Sequence, residues 1–201
     1  MEDAYEQILQ YWFDDNSDLP TKNEMRKWFL KSKLYDSIIK EQFETIYNSQ
    51  KTANALHGQD NSTHALAKII LFDQFSRHIY RNSCEPFIIE TKLAEYVLRN
   101  IGCLDGLPLK HALFFLMPLQ HSENIDSQNC FKQMWKTVQD NHEKRDEKEY
   151  QIFFGKIKNH SKNHRKLIKR FGRFPKRNLV LRRINTADEE LYLKYNPNGF
   201  Y

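Results

Sequence analysis

Residues 170–178 read RFGRFPKRN, and the guanidinium groups of Arg170, Arg173 and Arg177 are planar forks suited to a carboxylate or a phosphate. Phe171 and Phe174 can fix their neighbourhood by packing. Gly172 suits the left-handed residue after a helix end, and Pro175 is expected to prevent the helix from restarting. The stretch reads as a helix stop and an anion site together, completed by Asn178. A second constellation is FDQFSRHIYR, residues 72–81. Asp73 and Arg77 are one helical turn apart, as are Arg77 and Arg81, so three charges line one face beside Gln74. They form either a structural ion pair or a guanidinium held by Asp73 for a ligand. The third is PLQHSENIDSQ, residues 118–128, where His121, Ser122 and Glu123 stand at a proline break and a new helix start. Free backbone N–H groups at such a start suit an anion. Ser122 reads as the helix cap, or as a nucleophile whose partner would have to come from elsewhere, because adjacent residues on a turn do not face one another. His160 and His164 are also one turn apart. Ser161 stands where an HExxH motif has its acid, so no metal site is expected, and His164 is expected to hydrogen-bond inside the core.

Helical periodicity positions these groups. Ile8, Leu9, Trp12 and Phe13 mark a first helix that DDNSDLPT ends, and Leu34, Ile38, Ile39, Phe43, Ile46 and Tyr47 mark the core face of a longer one. Asn61 and Ser62 are candidate caps for the helix carrying residues 72–81. Pro86 opens another helix, Pro108 the next, and Pro118 should end or kink it. A long helix runs from Tyr150 to Phe171, and Thr186 with Glu189 matches a capping box before a short last helix. About nine helices with short connections and no strand alternation predict an all-α, single-domain array of antiparallel helix pairs over residues 1–201.

Composition bounds the setting. The chain has 201 residues, 40% of them hydrophobic, with only six glycines and six prolines, which suits a packed helical protein. Three cysteines without a CxxC pair predict a reducing compartment, the opening MEDAYEQILQYWF lacks the form of a signal peptide, and residues 113–119 are the longest apolar stretch. The expectation is a soluble, cytoplasmic protein with no membrane partner and no cofactor. The formal charge is +5, yet twelve Lys or Arg and no Asp or Glu occupy residues 156–183. That local field makes a weak nucleic-acid contact through residues 156–183 a further expectation.

Taken together, YWF near the start, WF and YD at residues 28–36, DQFSRHIYR, HSE, HRKLIKRFGRFPKRN and NTADEELYL resemble a mainly bacterial family known as domain of unknown function 924, over nearly the whole chain. The resemblance implies a tetratricopeptide-repeat-like helical fold. It also implies that Asp73, Gln74, Phe75, Arg77, Arg81, His121, Ser122, Glu123, His164, Arg170, Arg173, Arg177 and Asn178 are signature positions, and it implies no reaction. This chain departs from the pattern at His78, where asparagine is usual, Lys176, where histidine is usual, and Arg182, where glycine is usual. It also lacks the usual tryptophan between residues 55 and 65.

The functional expectation is a polar Arg/His/Glu cleft that binds an anionic small molecule or a peptide carboxylate. One alternative is a hydrolase or transferase with His121 or Glu123 as base and Arg173 and Arg177 stabilising charge. The other is a protein-interaction scaffold or weak RNA binder in which the same residues brace helices.

Overall fold

A computed structural model describes residues 4–197, and all regular structure among them is helical. The chain divides into two compact units, residues 1–81 with 85–118 and residues 82–84 with 119–201.

The first unit contains α1 (Ala4–Trp12), α2 (Lys22–Phe29), α3 (Lys33–Thr52), α4 (Ser62–Ile69), α5 (Ser76–Ile79), α6 (Glu85–Ile88), α7 (Glu90–Arg99) and most of α8 (Leu109–His121). Trp12 is its packing centre. The fully buried indole meets Phe75 and Phe114, each at 5.5 Å between ring centres, while Trp28 meets Phe114 at 4.6 Å. On α3 the core face is Ile39, Phe43 and Tyr47, and Leu34, expected on that face, is 65% exposed because the helical period carries it about half a turn round the axis from Phe43, onto the opposite face. Asn61 caps α4 by accepting the His64 N–H at 2.9 Å, as its position predicts. A π turn then joins α4 to α5, an element that the sequence does not reveal. It spans Ile70–Phe75, and all six residues are buried.

Three polar segments hold the loop between α1 and α2. Thr21 and Glu24 make a capping box, and Glu24 also accepts the Asp14 N–H at 2.9 Å. Lys110, on α8, reaches the same carboxylate at 2.7 Å and Asp15 at 2.7 Å, with both the Lys110 and the Glu24 side chain fully buried. Asp18 accepts the Leu109 N–H and so serves the start of α8. Pro118 does not end that helix, which continues to His121, because a missing N–H removes one bond while its neighbours keep the turn.

The second unit is built on α9 (Ile125–Asn141) and α10 (Lys148–Phe171), followed by a 3₁₀ turn (Pro175–Arg177) and α11 (Ala187–Tyr195). Trp135 packs on Phe154 near one end of the pair, and Arg165 reaches Asn129 near the other, so the helices are antiparallel. Gly172 closes α10 in the left-handed conformation, φ 68°, as the sequence predicts. Pro175, by contrast, restarts a helical turn, because its fixed φ and missing N–H suit a first helical position. Thr186 and Glu189 complete the predicted capping box of α11.

Candidate functional site

The candidate residues fall into two clusters, one in each unit. In the first, the π turn carries Asp73 with only 1% of its side chain exposed. Gln74 Nε2 donates to Asp73 Oδ2, and it lies 3.3 Å from Met117 Sδ. Arg77 Nε donates to the Asp73 carbonyl at 2.8 Å, while its Nη2 reaches Asp73 Oδ1 at 3.1 Å and Glu90 Oε1 at 3.2 Å. The Asp73–Arg77 pair expected from spacing is therefore formed. Glu90, at the start of α7, is a partner that spacing could not name. Arg81 leaves this line and binds Asp36 of α3. His78 Nδ1 lies 2.8 Å from the same carboxylate. Burial pushes the Asp36 carboxyl up, but the hydrogen bonds from Arg81 and His78 outweigh it and hold the group below its ordinary range. Burial also lowers the His78 imidazole, against the pull of Asp36. A pocket of about 430 Å³ in this unit is lined by Gln7, Gln10, Tyr11, Gln42 and Phe43, none of them a candidate site residue from the sequence.

The second cluster gathers around the turn after α10. Phe174 is fully buried and donates its N–H to Glu123 Oε1 at 2.8 Å. The Arg177 guanidinium lies 4.4 Å from the Phe174 ring centre, and the His164 ring meets that ring edge-on at 5.5 Å. Arg177, 2% exposed, also donates to the His121 carbonyl at 2.9 Å. Arg183 forks onto Glu123 at 2.6 and 3.0 Å. Arg173 forks onto Glu189 at 2.6 and 2.7 Å, and Arg170 binds Asp188. Asn178, almost fully buried, donates to Asn185 at 2.8 Å.

Ser122 is not the cap of α9. Asn124 takes that place, with Oδ1 accepting the N–H groups of Asp126 and Ser127, while Ser122 Oγ accepts the Asn124 N–H at 3.2 Å. The residue next to the first turn is the one whose side chain reaches its free donors. His164 Nδ1 is 2.9 Å from the His160 carbonyl, and burial lowers its pKa to about 3, so the ring is neutral at pH 7. Glu123 is pushed up by burial, but hydrogen bonds from Arg183 and the Phe174 N–H prevail and hold it below the ordinary glutamate value. Glu189 is lowered to about 2, first by the Arg173 hydrogen bond. A carboxylate so held is a poor proton acceptor near neutral pH.

Both clusters lie within a sequence match over residues 8–197 to a family described as bacterial protein of unknown function, DUF924. The chain belongs to this family. A solved structure, that of the protein of unknown function ATU0120 from Agrobacterium tumefaciens, is similar in fold with a TM-score of 0.73 and 24% identity, covering 95% of this chain and 97% of that one. A search of curated proteins finds no match. The family resemblance expected from DQFSRHIYR, HSE and RFGRFPKRN is thus established, and it extends to the helical fold.

Arg183, Glu189, Asp36 and Glu90 escaped the sequence reading as site members. Glu189 had one legible signal, its capping-box spacing, which hides its second partner Arg173. Arg182, where the resemblance implies glycine, adopts φ 53°, the left-handed backbone that a glycine takes without strain.

Proposed function

We infer that the protein is a non-catalytic helical scaffold that binds a protein partner, and that its signature arginines act as braces. What supports this reading is that the guanidinium groups first picked as anion donors already hold partners: Arg173 is forked onto Glu189, Arg170 is bound by Asp188, and Arg177 is buried against Phe174 and a carbonyl. An arriving anion would have to displace a carboxylate that is already positioned. The groups suggested for catalysis are similarly occupied. Glu123 accepts three N–H bonds, and Ser122 accepts a backbone N–H rather than facing a base. Leu179 and Ile184, which follow the braced turn in the chain, stand in solvent at 91% and 90% exposure, apolar surface that a protein contact would remove from water.

The test is a double-mutant cycle of Arg173→Gln and Glu189→Gln, with melting curves taken with and without phosphate or acetate. The scaffold reading expects coupling of about 0.5–3 kcal/mol in stability and no rise in melting temperature with either anion. Additive losses together with stabilisation by an anion would return the site to the anionic small molecule or peptide carboxylate.

A further inference from the structure

The exposed lysines of α10 take no part in the brace. Lys158, Lys162, Lys166 and Lys169 fall within about a quarter turn of one another around the helix axis and extend over roughly 16 Å of its length. All four are exposed, and none is held in an ion pair among the described residues. The same sector contains Arg165, whose Nε donates to Asn129 Oδ1 of α9 at 2.7 Å, and then Gly155 and Gln151. It carries no apolar or aromatic side chain.

The surroundings preserve this field. No Asp or Glu occurs between residues 150 and 187, and on the antiparallel neighbour α9 none occurs between residues 127 and 139, which include Lys132 and Lys136. Asp140, farther along α9, is bound by Lys136. On α11, Asp188 and Glu189 are taken by Arg170 and Arg173, and Glu190 is exposed. The lysines therefore face solvent as a row of uncompensated positive charge.

We propose that this lysine face of α10 binds the phosphate backbone of a nucleic-acid duplex without reading its sequence. Lysine is a point-charge donor suited to phosphate. The absence of an aromatic platform from the sector removes the stacking that single strands use, and the absence of an apolar side chain removes the anchor by which a basic helix enters a bilayer surface. This inference goes beyond the scaffold reading and does not depend on it.

The experiment is fluorescence anisotropy of a labelled short DNA duplex titrated with the full chain at a series of salt concentrations. Each neutralised phosphate contributes about −0.9 to the slope of log K against log salt, so four contacts give a slope of about −3 to −4 and about a hundred-fold loss of affinity between 50 and 200 mM salt. Changing Lys158, Lys162, Lys166 and Lys169 together to Gln should abolish binding. Lys162→Gln alone should reduce the slope by about 0.9, which keeps the test open if the fourfold variant folds poorly. The control changes Lys22, Lys31, Lys33 and Lys92, all exposed in the first unit, to Gln. It removes equal charge and should leave the slope unchanged. The proposal is overturned if the parent does not bind at low salt, if both fourfold variants lose affinity equally, if the slope survives in the α10 variant, or if phosphatidylserine vesicles capture the protein while the duplex does not.

Discussion

Lys110 and Glu24 in the first unit lie 2.7 Å apart with both side chains fully buried, whereas in the second unit Arg173 keeps 27% exposure above a Glu189 with 2%, and Arg170 and Asp188 are each about half exposed. The same pairing of opposite charges thus occurs at three depths. Depth decides what each is worth. A buried charge that loses its partner has no water to replace it, while an exposed one exchanges its partner for solvent at little cost.

The buried end of the comparison gives the largest effect. Lys110→Met should destabilise the protein by about 3–5 kcal/mol in urea unfolding, because Glu24 would lose its buried cationic partner. A loss below about 1 kcal/mol would place this pair with the surface ones. Arg173→Gln should cost about 1–3 kcal/mol, the range for leaving a mostly buried polar group without its charged partner.

Acid sharpens the same contrast. Glu189 has its pKa lowered from 4.5 to about 2 in the folded protein, first by Arg173, so it binds fewer protons folded than unfolded between those values. Its contribution to stability is present above pH 4.5 and is lost as pH falls towards 2. In Glu189→Gln the decline of the urea midpoint across that window should be shallower than in the parent. An unchanged acid limb would show that the Arg173 fork does not act on Glu189 in solution. His111 in the first unit and His164 in the second are also lowered by burial, to about 4 and about 3, and they add to acid sensitivity below pH 6.5 in parent and variant alike.

Two small effects complete the series. Arg182→Gly should stabilise the protein by about 0.5–1 kcal/mol by relieving a left-handed backbone at a residue with a side chain. A loss instead would mean that the arginine side chain contributes more than its backbone strain costs. Arg170→Gln should change stability by less than about 0.5 kcal/mol, since its ion pair with Asp188 is exposed. A drop of several kcal/mol would erase the distinction between exposed and buried pairs.

Local rules explain which parts were legible. The caps at Asn61 and Thr186, the left-handed stop at Gly172 and the Asp73–Arg77 pair all join residues three or four positions apart or depend on one backbone angle. Ser122 differs because two residues near the start of α9 both have suitable oxygens, and only the chain path places Asn124 in the first turn. The π turn of Ile70–Phe75 had no signal in an apolar run that suits an α-helix equally well.

The sequence by itself determined the helical class, several helix ends and the family, because the 3.6-residue period, capping chemistry and recurring motifs are all written along the chain. The tertiary structure decided where the charges went. Arg81 meets Asp36 across 45 positions, Arg177 meets the His121 carbonyl across 56, and Lys110 meets Asp15 across 95. Any of the chain's many carboxylates and carbonyls satisfies an arginine or lysine chemically, so the choice among them depends on which helices pack together, and that is settled by the burial of Trp12, Phe114, Phe174 and their neighbours rather than by the spacing of the charges.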